Sequence, residues 1–271
     1  MPTEDSEFSG SKPVGFPMES NLKLIANDLS PLLSDPASYR RLIGKLLYLT
    51  ITRPDLAYAV QALSQFMSNP HTMHLQAAER VIRYIKATPG QSLFLMASFD
   101  LHLEAYSDSD WGGCIDTRRN VTGFTVFIGD SIVSWKSKKK PIVIRSSAEA
   151  EYRALATTTC ELQWLFYLLA DLKVKHPQAA LLYTDSKPAS EITSNPVHHE
   201  RTKHIQLDCH LVREKLQEGL IKIIHIPSKY QLADILTKPL GCLNFHHLIS
   251  KMRMINIHSH LEGGVGISKI L

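Results

Sequence analysis

The hydrophobic pattern of this chain changes its period near residue 90, and this change constrains the fold more than any other feature. Before it, apolar residues recur three or four positions apart, which is typical of amphipathic helices. The pattern predicts helices beginning near Ser38, over Asp55 to Met67 and over about His71 to Ala87, separated by proline-containing segments. This part of the chain should therefore form a small helical unit.

After residue 90 the pattern indicates short strands interspersed with helices. The predicted strands are 101–106, 123–128, 132–135, 181–183 and 220–226. The predicted helices are 148–173, 202–218 and a last one from Gln231. The order β-β-β-α-β-α-β-α predicts an α/β fold in which helices flank a five-stranded mixed sheet.

The chain divides into four predicted segments. Residues 1–35 are rich in Ser, Pro, Gly and acidic residues and should form a flexible leader. Residues 36–95 form the helical unit, residues 98–240 the sheet domain, and residues 241–271 a C-terminal tail.

Composition excludes several classes of protein. Of the 271 residues, 44% are apolar and 21% charged, which excludes disordered, collagen-like and disulfide-scaffold chains. No apolar run reaches the roughly 18 to 20 residues that a membrane-spanning helix needs, and the N-terminus lacks a secretory signal pattern. Four widely spaced cysteines favour reduced thiols. We therefore expect an intracellular protein with no membrane partner.

The net charge of +4 is unevenly distributed. Residues 1–35 carry two basic and six acidic side chains, so the remaining 236 residues carry 28 minus 20, or +8. A basic folded part is compatible with a polyanionic partner such as a nucleic acid.

Acidic residues lie at the end of four apolar elements, where a side chain can be half-buried and still reach solvent. Taken singly, each is more often a turn, capping or solvated residue than a functional one. The four places are Asp108 with Asp110, Glu149 with Glu151, Asp185, and Asp234.

Helical geometry separates the two glutamates. At 100° per residue, Glu151 lies about 60° from the centre of the apolar stripe, and Glu149 about 100° away on the other side. Glu151 is thus nearer the core. Carboxylates gathered at such a margin would repel one another unless a divalent cation neutralised them, and oxygen ligands suit Mg²⁺.

Five long segments carry a specific pattern in a fixed order. They are YRRLIGKLLYLTITRPDLAYAV, YSDSDWGGCIDTRRNVTGFTVFIGD, SWKSKKKPIVIRSSAEAEYRALA, NPVHHERTKHIQLDCHLVRE and QLADILTKPL. From about Tyr39 to near Gly264, the chain resembles the C-terminal reverse transcriptase and ribonuclease H region of plant copia-type LTR retrotransposon Pol polyproteins.

The resemblance implies the ribonuclease H fold and a quartet of metal-binding carboxylates. It places the first catalytic aspartate on Asp108, although Asp110 competes because residues two apart on a strand point the same way. The others fall on Glu151 in the first helix, Asp185 after the fourth strand and Asp234 in the last helix.

The implied reaction is hydrolysis of the RNA strand of an RNA/DNA hybrid with two Mg²⁺ ions, for which Mn²⁺ is an alternative. The 2′-OH and the hybrid's shape would select the RNA strand. Ribonucleases of this family often carry a mobile histidine before the last aspartate. Residues 227–234 contain none, and Lys229 is the nearest cationic substitute.

Basic residues flank the predicted site. Beside a hybrid-cleaving centre they are candidates for phosphate contacts, although a run at a strand also serves as a solvated edge that discourages sheet pairing. These residues are Lys136, Lys138, Lys139, Lys140, Arg145, Arg201, Lys203 and Lys229. The tryptophans Trp111, Trp135 and Trp164 are expected in the core.

The helical unit would correspond to the thumb or connection of the reverse transcriptase. Because the resemblance begins after the palm, we expect no polymerase activity, and an upstream polymerase part is a predicted partner. The alternative is a catalytically inactive relic that only binds nucleic acid. The expected location is the cytoplasm, a virus-like particle or the nucleus, and the sequence leaves the oligomeric state open.

Overall fold

The computed structural model describes residues 11–96, 101–176, 178–194 and 206–258, with the backbone alone for 192–194. Within these residues the chain forms two compact units. The helical unit contains residues 11–94 and 241–258, and the sheet unit contains the described residues from 95 to 240.

The helices and strands are numbered along the chain. The helices are α1 (Pro36–Leu49), α2 (Ala57–Ser64), α3 (Thr72–Ala87), α4 (Ser147–Asp171), α5 (Lys187–Ser194), α6 (Gln206–Gln217) and α7 (Cys242–Lys251). The strands are β1 (Gln91–Leu93), β2 (Leu103–Asp110), β3 (Val121–Ile128), β4 (Ser131–Lys139), β5 (Ala180–Thr184), β6 (Ile221–His225) and β7 (Met254–Asn256). Short 3₁₀ helices occupy Pro54–Leu56, Ser228–Tyr230 and Leu232–Leu236.

The helical unit is organised around a buried ion pair as well as an apolar core. Arg53 and Asp55 follow α1 and are almost completely buried. The guanidinium Nη2 of Arg53 lies 2.7 Å from Asp55 Oδ2, and the hydroxyl of Tyr84 donates to the same oxygen at 2.8 Å. Arg53 also donates to the carbonyl of Thr88. These bonds satisfy both charges and join the start of the second helix to the end of α3.

The predicted tail begins with two elements of the helical unit. Strand β7 pairs antiparallel with β1, with Ser92 opposite Ile255. The ring of Phe245 on α7 packs edge-on against Tyr84, with 5.6 Å between the ring centroids. Helix α7 was not predicted because residues 241–271 were interpreted as a tail. Strand β7 was not predicted because its pairing with β1 joins residues that are far apart in the sequence.

Part of the predicted leader contacts the helices. Met18 is buried. The backbone N–H of Val14 donates to the carbonyl of Arg83, and that of Leu33 donates to the carbonyl of Pro70. The segment borders 1–35, 36–95, 98–240 and 241–271 stay predictions, and the structure adds that residues 11–35 and 241–258 group with the helices.

The sheet unit contains a five-stranded sheet with the order β4-β3-β2-β5-β6. Strands β2, β3 and β4 are antiparallel, whereas β5 and β6 run parallel to β2. Helices α4 and α6 cover an apolar core that includes Leu103, Tyr152 and Leu182. The predicted ribonuclease H-like α/β architecture, a mixed sheet flanked by helices, is confirmed.

The structure corrects the bounds of several predicted elements and adds one helix. Strand β2 is Leu103–Asp110 and not 101–106, and β4 is Ser131–Lys139 and not 132–135. The last helix, predicted from Gln231, is a short 3₁₀ helix over Leu232–Leu236. Helix α5 was missed because it has only eight residues and its side chains are mostly polar or small. Among the described residues, none of the helices is both long and apolar enough to cross a bilayer.

Candidate active site

Three aspartates meet at one edge of the sheet. Strands β2 and β5 are parallel, and Tyr106 pairs with Tyr183. Two residues further along each strand's direction, the chain reaches Asp108 and Asp185, so their carboxylates come together at the same edge. Asp234 joins them from the 3₁₀ helix, and one oxygen of each of the three lies within 4.8 Å of the others. We call these residues the aspartate cluster.

Glu151 lies beside the aspartate cluster from the second turn of α4. Its Oε1 accepts a hydrogen bond from the backbone N–H of Ser109 at 3.3 Å. Its Oε2 is buried and has no hydrogen-bond partner among the described residues. A buried carboxylate oxygen without a partner is costly, and a cation is the partner that would compensate for it best.

The other glutamate has a different environment. Glu149 is buried and its Oε1 accepts from the guanidinium Nε of Arg153 at 3.1 Å. The structure thus places Glu151 beside the cluster and Glu149 in an ion pair on the helix. Helical geometry predicted that Glu151 is nearer the core, whereas Glu149 is the more buried of the two, because its carboxylate packs against Arg153.

Asp108 and Asp110, the two aspartates near the end of β2, also have different environments. Asp108 is 2% exposed and belongs to the cluster. Asp110 is half-buried and outside the three-residue cluster, at the end of β2. Of these two residues, the structure therefore brings Asp108 together with Asp185 and Asp234, a choice that strand parity left open.

The segment that carries Asp234 is held against the sheet by buried polar contacts. The side chain of Gln231 is fully buried, donates to the carbonyl of Ser107 at 3.0 Å and accepts from the N–H of Ala233. The hydroxyl of Thr237 donates to Asp108 Oδ2. These bonds fix the 3₁₀ helix next to the end of β2.

A glycine makes this close approach feasible. Gly123 on β3 pairs with Asp108. A Cβ atom at this position would lie 2.8 Å from both Leu236 Cβ and Thr237 Cγ2. Such distances are shorter than van der Waals contact, so only glycine lets the 3₁₀ helix pack this closely.

A lysine that the sequence analysis did not single out lies in the cluster. The ammonium Nζ of Lys238 is 2.8 Å from Asp234 Oδ1 and 3.8 Å from Asp108 Oδ2. The signal was present, because a lysine four residues after an aspartate is a common pairing distance in helical segments.

Asp185 has its own polar neighbours. The hydroxyl of Ser228 donates to Asp185 Oδ2 at 2.6 Å. The exposed ring of His225, at the end of β6, places Nε2 3.2 Å from the carbonyl oxygen of Asp185. A histidine therefore lies beside the site, just upstream of the segment in which the family's mobile histidine was sought. Lys229 places its ammonium 4.8 Å from the centre of the Tyr230 ring.

The pKa values of the acidic groups reflect burial and mutual repulsion. Burial, and then the charges of Asp108 and Asp185, raise the pKa of Glu151 to about 9. Burial and the charge of Asp108 raise the pKa of Asp234 to about 7, against the opposing effect of Lys238. Burial also raises the pKa of Asp108. The raised pKa values mean that protons and a cation would compete for these carboxylates.

The basic run divides between the two faces of the sheet. The ammonium group of Lys140 donates to the hydroxyl of Thr157 on α4 at 3.1 Å, whereas that of Lys139 donates to Cys114 Sγ at 2.8 Å. Lys136 and Lys138 are exposed on β4, and Arg145 is exposed before α4. Arg201 and Lys203 lie outside the described residues.

The tryptophans were mostly misplaced by the sequence analysis. Trp111 is 51% exposed and Trp164 is 55% exposed, whereas Trp135 is partly buried. Trp111 follows β2 directly, and its indole N–H donates to the carbonyl of Ile144. The error arose because aromatic content alone does not distinguish a core position from a surface one.

Comparison with known proteins identifies relatives over most of the chain. The Pol polyprotein of transposon RE1 from Arabidopsis thaliana is 42% identical over 91% of this chain. That of transposon TNT 1-94 from Nicotiana tabacum is 34% identical over 87%. The chain spans 17% and 18% of the lengths of these two relatives. No family model matches the chain.

Solved ribonucleases H overlap part of the structure. LC11-RNase H1, crystallised in complex with an RNA/DNA hybrid, is 16% identical with a TM-score of 0.35, covering 50% of this chain and 93% of its own. RNase H1 from Halobacterium salinarum is 20% identical with a TM-score of 0.32, covering 50% and 94%. These overlaps are low, and the fold assignment stands on the strand order of this sheet. By its sequence relatives, the chain belongs to the family of retrovirus-related Pol polyproteins of plant transposons, as the resemblance predicted.

Proposed function

We propose that the sheet unit is a ribonuclease H that hydrolyses the RNA strand of RNA/DNA hybrids with the help of divalent cations. The convergence of four carboxylates at one sheet edge supports this proposal most strongly. Three of them lie within 4.8 Å of one another, and the fourth, Glu151, has a buried oxygen without a partner among the described residues.

The residues present fit a divalent metal. The donor set consists of carboxylate oxygens, which Mg²⁺ and Mn²⁺ prefer, and the described part of the site contributes no cysteine or histidine to the cluster. Asp108, Glu151, Asp185 and Asp234 would hold two such ions. When bound, the metals would make water a stronger nucleophile at neutral pH and stabilise the charge of the leaving oxygen.

The chain's own residues then supply position and electrostatics. Thr237 orients Asp108 and Ser228 orients Asp185, each through a hydrogen bond to one carboxylate oxygen. Gln231 holds the segment of Asp234 against β2. His225 and Lys229 are both exposed near the end of β6. They are candidates to protonate the leaving oxygen of the cut strand or to neutralise its charge.

The basic residues of β4 would contact the hybrid. In the sheet, Gly123 pairs with both Asp108 and Ser137, which lies between Lys136 and Lys138. Two strand spacings separate the lysine backbone from Asp108, roughly 10 Å. Lysines at this distance can neutralise neighbouring phosphates of a duplex whose scissile bond lies at the carboxylates. This role for Lys136, Lys138, Lys139, Lys140, Arg145, Arg201 and Lys203 is a proposal.

The biological setting follows from the family. In a Pol polyprotein, a ribonuclease H would act on the hybrid made by a polymerase part, which is the partner that we propose. The proposed place of action is wherever reverse transcription occurs, in the cytoplasm, in a virus-like particle or in the nucleus.

The test is a cleavage assay with the full chain, an RNA/DNA hybrid labelled on the RNA strand, and Mg²⁺. We expect Asp108→Asn and Asp185→Asn to lower the rate at least about a hundredfold, since each removes a metal-binding charge. The matched variant Asp110→Asn should keep most of the activity because Asp110 lies outside the cluster.

Two controls separate the proposal from its alternative. Duplex DNA and single-stranded RNA should remain uncut, because the hybrid's shape and the 2′-OH provide the selectivity. If wild-type protein binds the hybrid but cuts it no faster than Asp108→Asn, the chain is a nucleic-acid-binding relic and the enzymatic proposal fails.

A further inference from the structure

The ammonium group of Lys238 contacts two of the three carboxylates in the aspartate cluster. It lies 2.8 Å from Asp234 Oδ1 and 3.8 Å from Asp108 Oδ2. Both aspartates are ligands in the proposed function, on which this inference rests. A monovalent and a divalent cation on the same oxygens would repel each other strongly at such distances.

The backbone of Lys238 is fixed by the same segment that presents Asp234. Its N–H donates to the carbonyl of Asp234 at 3.2 Å, and the preceding residue, Thr237, bonds to Asp108. The starting point of the lysine side chain is therefore set relative to both carboxylates.

The side chain of Lys238 can nevertheless leave. It is 34% exposed, whereas that of Asp108 is 3% exposed and that of Asp234 13%. A long flexible side chain with a solvent-facing path can move its ammonium group into water while the carboxylates stay in place.

We propose that Lys238 is the resident counter-ion of the aspartate cluster and that a divalent cation must displace its ammonium group in order to bind. In the metal-free protein Lys238 holds Asp108 and Asp234 together against their mutual repulsion. On metal binding it turns toward solvent. Lys238 is thus a positioning residue that preserves the site between rounds of metal binding and weakens the affinity for the metal.

The experiment compares the full chain with Lys238→Met, which keeps much of the side-chain length and removes the charge. Thermal unfolding is measured in EDTA, and Mg²⁺ binding is measured by calorimetry without nucleic acid at pH 8.5, where protons compete less than at neutral pH. Lys222→Met is the matched control, because Lys222 is exposed on β6 and outside the cluster. Lys238→Arg tests whether a retained charge restores wild-type behaviour.

We expect Lys238→Met to unfold at a lower temperature than wild type in EDTA and to bind Mg²⁺ with a roughly tenfold lower half-saturating concentration, given the strength of charge repulsion at this distance. Lys222→Met should match wild type in both measurements, and Lys238→Arg should lie close to it. Excess Mg²⁺ should remove most of the difference in unfolding temperature.

Equal or weaker Mg²⁺ binding by Lys238→Met would overturn displacement, and so would a lack of Mg²⁺ binding by both proteins. An unchanged unfolding temperature in EDTA would overturn the counter-ion role. These results do not depend on hydrolysis. If both proteins bind Mg²⁺ as expected but the hybrid is not cut, the proposed function fails while the inference about Lys238 stands.

Discussion

At the scale of single residues, the site is a balance between buried negative charges and the groups that compensate for them. Glu151 illustrates this balance, because burial and the charges of Asp108 and Asp185 raise its pKa to about 9. Its ordinary value is near 4.5, so the folded, metal-free protein retains a proton at Glu151 that the unfolded chain releases. Metal binding and folding stability are therefore both linked to pH through this residue.

This linkage predicts the behaviour of Glu151→Gln in EDTA. Between pH 5 and 9 the unfolded state has lost the proton while the folded state holds it, so the stability of wild type falls as pH rises. Glutamine carries no such proton, and the variant should gain stability relative to wild type by at most about 1.4 kcal/mol per pH unit. The difference should level off above the folded pKa.

The measurement is urea unfolding of both proteins at several pH values across this range. Glu149→Gln provides the comparison from the same helix, and it should lower stability at neutral pH because it breaks the ion pair with Arg153. A difference between wild type and Glu151→Gln that stays constant from pH 5 to 9 would contradict the raised pKa.

At the scale of elements, the site depends on how closely the Leu232–Leu236 segment approaches the sheet. Three features bring it there: the buried amide of Gln231, the hydroxyl of Thr237 and the missing side chain at Gly123. The first two act by hydrogen bonds and the third by leaving space. The position of Asp234 thus depends on contacts of the neighbouring Gln231 and Thr237 with residues on β2 and β3 that are more than 100 residues away in sequence.

The close approach at Gly123 predicts that Gly123→Ala moves the segment of Asp234. The added methyl group would lie 2.8 Å from two side-chain atoms, so Leu236 and Thr237 must shift. We expect a loss of about 1 to 3 kcal/mol in the free energy of unfolding, as for other overpacked sites. Hybrid cleavage should fall at least about tenfold, because small displacements of catalytic groups are costly.

Gly44→Ala is the matched control for this substitution. Gly44 lies in α1, and a methyl group there would meet nothing within 4 Å. This variant should gain roughly 0.5 to 1 kcal/mol through its helix propensity and cut the hybrid at the wild-type rate. Wild-type cleavage by Gly123→Ala would show that Asp234 does not need the close packing.

The pattern marked acidic residues at four places because each place borders an apolar element, and the family resemblance then selected Asp108, Glu151, Asp185 and Asp234. Helical geometry favoured Glu151 over Glu149 as the residue nearer the core, although Glu149 is the more buried of the two. The sequence could not distinguish Asp108 from Asp110, since that choice depends on the position of Asp234 across the sheet edge. Lys238 escaped notice for a different reason. Its spacing from Asp234 was visible, but only the folded structure brings Asp108 to the same ammonium group.

At the scale of the whole molecule, the described chain is one continuous unit inserted into a discontinuous one. The sheet unit runs without interruption of its chain from 95 to 240, whereas the helical unit is assembled from residues before and after it. Insertions of this kind occur where the two ends of the host segment lie close together, and here β1 and β7 pair directly. The sequence did not predict this, because periodicity describes single elements and not the pairing of distant ones.

This organisation predicts that a substitution near the C-terminus loosens helices near the N-terminus. Phe245 on α7 is 4% exposed and packs against Tyr84 of α3, so Phe245→Ala should cost about 3 to 5 kcal/mol of the helical unit's stability. Leu243→Ala, on the same helix but 87% exposed, is the matched control and should be nearly neutral.

Hydrogen exchange followed by mass spectrometry measures the protection of each unit separately. In Phe245→Ala, peptides from α1 to α3 should exchange faster, while those from β2 to β5 keep their wild-type protection. Faster exchange throughout the sheet as well would show that the two units unfold as one, and unchanged exchange in α3 would show that α7 contributes nothing to the helical unit.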